Sequence, residues 1–95
     1  MHIETITERD DLIIRRQVLQ PGEVGPWHTD PHRRFSVVIT GEALRIEFQG
    51  SPDVIDVPVH PGLAAWDEPE LRVHRAVNTG GVVYEEIVTT YLRGA

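Results

Sequence analysis

The sequence predicts an all-β fold, a sandwich or barrel of short antiparallel strands, with one domain covering residues 1–95. Apolar residues come in short runs at two-residue spacing, which is typical of strands that bury one face. Gly, Pro, Asn and Asp interrupt these runs roughly every 8–12 residues, and no stretch has the pattern of a long helix. These observations favour one layered β-domain over a helical or mixed fold.

Each strand is predicted from its alternation and from the turn that ends it. The first convincing strand is Leu12–Leu19, which Pro21-Gly22 ends. The last is the longest and is rich in Val, Ile, Thr and Tyr, so we expect it to pair inside a sheet or at a partner's edge. The strands after the first are predicted at residues 35–40, 44–48, 54–59, 63–66, 73–77 and 82–91, with a polar loop over 67–72.

Composition excludes several classes of protein. The chain has 15 acidic and 9 basic residues and a net charge of −6, so nucleic acid is not an expected partner. It has no cysteine, which excludes disulfides and thiolate metal sites and favours a cytoplasmic location. No apolar run approaches the roughly 20 residues that cross a bilayer, so no membrane association is expected.

Three of the five histidines form a candidate metal site. If the segment after Trp27 is extended, then His28, Asp30, His32 and Arg34 share one face, because alternate residues of a strand point the same way. His74, in a later strand, supplies a further imidazole nitrogen. Imidazole and carboxylate ligate Zn, Fe, Mn, Ni or Cu. The alternative is that these histidines lie on a polar surface or are hydrogen-bonded in a loop.

The spacing of these residues resembles the first of the two motifs of the cupin family. That motif runs from a Gly through five residues to His-x-His, then three or four residues to a Glu, and six more to a Gly. Here five residues separate Gly22 from His28, and Gly41 lies at the distance that closes the motif. The matching segment covers about residues 22–41.

The second motif of the family is also matched. It begins with a Pro-Gly turn and continues to a His followed by three residues and an Asn. In this chain Pro61-Gly62 precedes His74, and three residues separate His74 from Asn78. The match covers about residues 61–80. The two motifs stand in the family's order on an all-strand background, and the resemblance implies an antiparallel cupin-type β-barrel, or jelly roll.

The first motif departs from the family's pattern at two positions. Asp30 stands where the second histidine is expected, Arg34 stands where the glutamate is expected, and His32 falls between them. The resemblance therefore implies a divalent metal (Fe, Mn, Ni or Zn) held by His28, His74 and one or both of Asp30 and His32. Arg34 cannot ligate a metal, so it either pairs with Asp30 or binds an anionic substrate.

Two aromatic residues are assigned to a substrate pocket. Trp66 follows the Pro61-Gly62 turn and is placed at the pocket mouth, with packing in the core as the alternative. Tyr84 and Tyr91 are seven residues apart in one strand and must point to opposite faces. Tyr84 is taken to reach the interior, where its phenol could donate a proton; the alternative is that it only packs there.

Two functions follow from the resemblance, and the catalytic residues stay unknown. The first is a small metal-dependent enzyme of the dioxygenase, isomerase, decarboxylase or lyase type, acting on a small polar or anionic organic molecule. The second is a non-catalytic domain that binds or senses a small molecule, with a decayed metal site and a structural Asp30–Arg34 salt bridge. The resemblance also implies a homodimer, with the N-terminal or the last strand as the contact.

Overall fold

The computed structural model describes residues 1–93, and these form β-strands joined by turns, with no helix among them. Within this range no helix is present that could cross a membrane. The nine strands are β1 (His2–Glu8), β2 (Leu12–Leu19), β3 (His28–Asp30), β4 (Arg34–Thr40), β5 (Ala43–Phe48), β6 (Val54–Pro58), β7 (Ala64–Asp67), β8 (Glu70–Asn78) and β9 (Tyr84–Tyr91).

The strands form two antiparallel sheets that face each other. The five-stranded sheet has the order β1-β2-β9-β4-β7, and the four-stranded sheet has the order β3-β8-β5-β6. A small buried cluster joins them, with Leu19, Val38 and Tyr84 from the first sheet and Leu44 from the second, together with Val59. The arrangement is a jelly roll, in which the predicted barrel takes the form of two separate sheets across one interior.

The sequence-based strands agree with most of this architecture, and two predictions were wrong at the edges. The N-terminal strand β1 was not predicted: its ladder with β2 shifts between Thr5 and Thr7, so Ile3 and Ile6 do not follow a period of two. The polar loop predicted over residues 67–72 is shorter, because β8 begins at Glu70, which pairs with Asp30 of β3. Backbone pairing therefore overrode the polar composition of this segment.

Asn78, the asparagine of the second motif, ties three parts of the fold together. Its side chain is 1% exposed. Its Nδ2 donates hydrogen bonds to the carbonyls of Leu19 and Val82, and its Oδ1 accepts one from the Gly80 amide. These bonds satisfy a buried amide completely, and they join the ends of β2 and β8 to the turn before β9. Strand β8, which carries His74, is fixed in register by this anchor.

Candidate functional site

A cavity of about 480 Å³ lies between the two sheets. Period-two alternation explains its lining, because the inward rows of both sheets meet there. One part is apolar, with Leu44, Ile46 and Val57 on its wall. The other part is polar and holds the residues of the candidate site, which are His28, Asp30, Arg34, His74, Tyr84 and Glu86.

Strand pairing brings the two motif histidines together. In the ladder between β3 and β8, His28 lies directly opposite His74, and their ring centroids are 4.5 Å apart. His74 is 7% exposed, whereas His28 lies nearer the surface and is half-buried. The meeting of two imidazoles separated by 46 positions in the chain is therefore a product of β3–β8 pairing.

Asp30 lies at the centre of the polar group. Its Oδ2 is 2.8 Å from His74 Nε2, 3.3 Å from His28 Nε2 and 3.2 Å from a terminal guanidinium nitrogen of Arg34. Donor atoms of His28, Asp30 and His74 all lie within 4.8 Å of one another. One carboxylate oxygen thus faces two ring nitrogens and one guanidinium.

The hydrogen bonds of the two rings fix which nitrogen faces Asp30. His28 Nδ1 is 2.8 Å from the Pro26 carbonyl oxygen, and His74 Nδ1 is 2.7 Å from the Arg72 carbonyl oxygen. Since a carbonyl oxygen only accepts, each Nδ1 carries the proton that is shared. Each Nε2 then turns toward Asp30. Because both the ring nitrogen and the carboxylate oxygen offer lone pairs, a proton or a metal ion is needed between them.

This donor set fits a divalent metal ion. The rings are oriented by backbone carbonyls through Nδ1, which is the usual support for a histidine that ligates a metal through Nε2. Two imidazole nitrogens and one carboxylate oxygen are a known combination for Zn and non-haem Fe. The residues that would hold the ion are His28, Asp30 and His74.

His32, the other candidate ligand, lies outside this group. It follows β3 and Pro31 and lines a smaller recess on the rim of the cavity, beside Arg15 and Arg34. Pro31 interrupts the strand at Asp30, so the extended pattern that would have kept His32 on the face of His28 and Asp30 is lost. The sequence left open whether Asp30, His32 or both would join His28 and His74. The structure brings Asp30 to the two histidines and leaves His32 outside the group.

Arg34 lies on β4 with its guanidinium turned toward the cavity. One terminal nitrogen contacts Asp30, while its Nε is buried and has no hydrogen-bond partner among the described residues. A buried N–H without a partner is costly, and because Nε has almost no accessible surface, a bound molecule would meet the other atoms of the guanidinium. The contact with Asp30 agrees with one role expected for Arg34, and its place in the cavity lining agrees with the other.

Tyr84 and Glu86 form a second polar pair on the inward row of β9. The Tyr84 hydroxyl donates a hydrogen bond of 2.7 Å to Glu86 Oε2. Glu86 lines the cavity but is largely surrounded by protein. Burial raises the pKa of its carboxyl above the ordinary value, while the hydrogen bond from Tyr84 and the charge of Arg34 act to lower it. Burial and the nearby Glu86 charge raise the pKa of Tyr84.

Trp66 lies away from the cavity. It is 48% exposed and belongs to the outward row of β7, where its ring packs against Phe35 and Tyr91 at centroid distances of 4.9 and 5.6 Å. The Arg33 guanidinium carbon also lies 4.6 Å from the centroid of the Trp66 ring. Because Ala65 and Asp67 occupy the inward positions of the strand, the structure does not bring Trp66 to the predicted substrate pocket.

Three charged residues of the polar wall had no role in the sequence-based site. They are Glu86, Arg15 and Asp67, which accepts a 2.5 Å hydrogen bond from Ser36. The signal for Glu86 was present, because it shares a strand face with Tyr84. Arg15 and Asp67 needed the strand register to show that they point inward.

Comparison with known proteins identifies the fold as that of the cupins. A cupin domain from Bordetella pertussis Tohama I superposes with a TM-score of 0.83 at 14% identity, covering 97% of this chain and 93% of that one. An RmlC-like cupin from Methanocaldococcus jannaschii gives 0.73 at 17% identity, covering 95% and 78%. An oxalate oxidase bound to the substrate analogue glycolate gives 0.62 at 21%, covering 84% and 41%. No protein-family model and no curated protein matches the sequence.

The chain is therefore a small cupin in fold, and its first motif is degenerate. The histidine of each motif is in place at His28 and His74, and Asp30 and Arg34 occupy the two altered positions. Among the described residues, the group that could hold a metal combines both motif histidines with the altered residue Asp30.

Proposed function

We propose that this protein is a metal-binding cupin that takes a small polar or anionic organic molecule into its cavity. The observation that carries the proposal is the convergence of two imidazole nitrogens on one carboxylate, with both Nδ1 atoms tied to carbonyls. Three protein ligands leave positions open for the substrate, as a catalytic site requires. The candidate metals are Fe, Mn, Ni and Zn.

A bound metal would supply Lewis-acid or oxygen-activating chemistry, of the kind used by dioxygenases, isomerases, decarboxylases and lyases. The residues of the chain then bind and orient the substrate. Arg34 pairs with its anionic group, because its guanidinium lines the cavity beside Asp30. The cavity wall of Leu44, Ile46 and Val57 accommodates its apolar part.

Tyr84 and Glu86 are the groups placed to exchange a proton with the substrate. Both line the cavity, and the hydrogen bond between them links a phenol to a carboxyl whose pKa is raised by burial. A carboxyl of this kind keeps its proton to higher pH than a surface carboxyl and acts as a general acid.

The proposal is tested by metal uptake. Protein freed of metal is dialysed against Mn²⁺, Ni²⁺, Fe²⁺ and Zn²⁺ in turn, and bound metal is counted per chain. We expect about one ion per chain for at least one metal, lost in His28→Ala and His74→Ala. His60→Ala is the matched control, because His60 is exposed in a loop and its Nδ1 contacts only the Pro61 carbonyl. Uptake that is absent, or that all three variants retain, contradicts the proposal.

The second candidate function is a non-catalytic domain that binds or senses a small molecule. The contact of 3.2 Å between Arg34 and Asp30 favours it, since a guanidinium already neutralises the carboxylate. In this case the wild-type protein takes up no metal, while small-molecule binding in the cavity persists.

We further propose a homodimer formed through the outer face of the five-stranded sheet. The outward residues of its central strands are largely apolar, and Trp66 is half exposed among them. Exposed apolar faces of this kind mark interaction surfaces. Arg16 and Glu85 pair with each other at 3.8 Å on this face, so a second copy of the same face can pack against it without leaving either charge unpaired. The apolar members are Ile14, Val18, Phe35, Val37, Trp66, Ile87 and Tyr91.

A further inference from the structure

A second recess opens on the rim of the cavity, next to the metal-binding group. Its volume is about 180 Å³, and it lies between β2, β9 and the segment that follows β3. Asp30 and Arg34 line both the recess and the main cavity, so the two spaces are neighbours. Its other polar lining residues include Arg15, His32 and Thr90.

The recess gathers more cationic and donor groups than its one carboxylate can pair. The side chains of Arg15 and His32 make no hydrogen bond or ion pair within residues 1–93, and Arg34 Nε is buried and unpaired. Asp30 is the acidic residue in the lining, and it already contacts Arg34 and both motif histidines. Several arginines elsewhere are paired with acids, among them Arg45 with Asp56, Arg72 with Glu70 and Arg75 with Glu47.

The strand register explains why these groups meet. Arg15 lies opposite Val88 on one side of β9, and Arg34 lies opposite Thr90 on its other side, so both project from the same inward face. His32 closes the recess from the turn after β3. Two guanidinium groups that line one recess repel each other, and an anion bound between them offsets this repulsion. The chain has a net charge of −6, so a shortage of acidic residues does not explain why Arg15 has no acidic partner.

We propose that this recess is the anion subsite of the cavity and that it takes the phosphate group of a small phosphorylated organic molecule. Arg15, the Arg34 guanidinium and the His32 imidazole supply the donors, and the rest of the ligand extends toward His28, Asp30 and His74. Two guanidinium groups with an added imidazole offer more donors than one carboxylate needs, and guanidinium forks match phosphate oxygens. The inference deepens the proposed function, because it names the class of molecule that reaches the metal-binding group.

The test compares 2-phosphoglycolate, glycolate and inorganic phosphate as probes, by calorimetric titration of the full chain freed of metal. We expect 2-phosphoglycolate to bind more tightly than glycolate. Arg15→Gln weakens it about tenfold, the effect of losing one charged hydrogen bond, and leaves glycolate within about twofold. His32→Gln weakens it less, because the glutamine amide keeps a hydrogen-bond donor at this position.

Arg45→Gln is the matched control, since it removes the same charge on the outer face of the other sheet, where Arg45 pairs with Asp56. Arg15→Lys keeps the charge and loses the fork, and it replaces Arg15→Gln if that variant unfolds. Equal weakening of 2-phosphoglycolate binding in the Arg15 and Arg45 variants overturns the inference. The inference also fails if 2-phosphoglycolate binds no more tightly than glycolate, or if neither compound binds.

The two proposals fail separately. Binding of phosphate that depends on Arg15, in a protein that takes up no metal, rejects the metal proposal and retains the subsite. Metal uptake that depends on His28 and His74, with phosphate binding that ignores Arg15, rejects the subsite alone.

Discussion

Asp30 is the residue that joins the two motif histidines and Arg34 in the cavity. In the cupin pattern its position belongs to a histidine, and here a carboxylate brings a negative charge between two imidazoles and a guanidinium. A carboxylate contributes charge that a third imidazole would not, so it partly replaces the glutamate whose position Arg34 occupies. The altered motif therefore retains both nitrogen and oxygen donors.

Glu86 makes a prediction about the pH dependence of stability. Burial raises its pKa in the folded protein, so the folded state binds a proton more tightly than the unfolded chain does. The stability that this contributes is present below the ordinary carboxyl pKa and is lost as pH rises toward the folded value. Its neighbours Tyr84, Arg34, Asp67 and Asp30 set the folded value.

Glu86→Gln removes this proton linkage. We expect its free energy of unfolding to exceed that of the wild type by a margin that grows as pH rises above the carboxyl range, measured by urea unfolding at several pH values. Glu8→Gln, on the exposed strand β1, is the control and leaves the profile unchanged. A margin for Glu86→Gln that shrinks with rising pH would refute the assignment.

At the scale of the elements, the turn between β4 and β5 is packed directly against the cavity wall. Gly41 has a φ of +155°, and a Cβ added there would lie 2.7 Å from Cδ2 of Tyr84 and 3.2 Å from a methyl of Val59. Since both neighbours belong to the buried cluster, an added methyl group would displace packed side chains. This glycine of the first motif lets the β4–β5 turn close over Tyr84.

Gly41→Ala is therefore expected to destabilise the fold by about 3 kcal/mol, the sum of backbone strain and overpacking. Gly50→Ala is the comparison, because Gly50 also has positive φ (+75°) but open space around it, and it should cost about 1 kcal/mol. Thermal and urea unfolding measure both. Equal losses would show that the contact with Tyr84 does not matter.

The elements also show which parts of the site sequence reasoning can find. Alternation located Leu12–Leu19 and placed Tyr84 and Tyr91 on opposite faces, as observed. It could not find Arg15 as an inward residue, because an arginine in a strand is ordinarily solvated and only register with β9 turns it toward the cavity. The pairing of His28 with His74 came from the resemblance to cupins, since nothing local in either strand indicates it.

At the scale of the whole molecule, the assembly is the next prediction. The proposed dimer buries the outer face of the five-stranded sheet, so a charge at its centre should separate the copies. We expect light scattering to give twice the chain mass for the wild type and the chain mass for Val37→Glu. Val54→Glu, on the edge strand of the other sheet, should stay dimeric. A monomeric wild-type protein would contradict the proposal.

The cytoplasmic location expected from composition stays a prediction.

The central claim is that the interior of this cupin fold holds a cation between His28, Asp30 and His74. The most direct measurement is a crystal structure of the protein grown with Zn²⁺, with anomalous scattering recorded at the zinc edge. The account predicts one strong peak bounded by His28 Nε2, a carboxylate oxygen of Asp30 and His74 Nε2. An intact Asp30–Arg34 pair, with no peak among these three residues at saturating Zn²⁺, would contradict it.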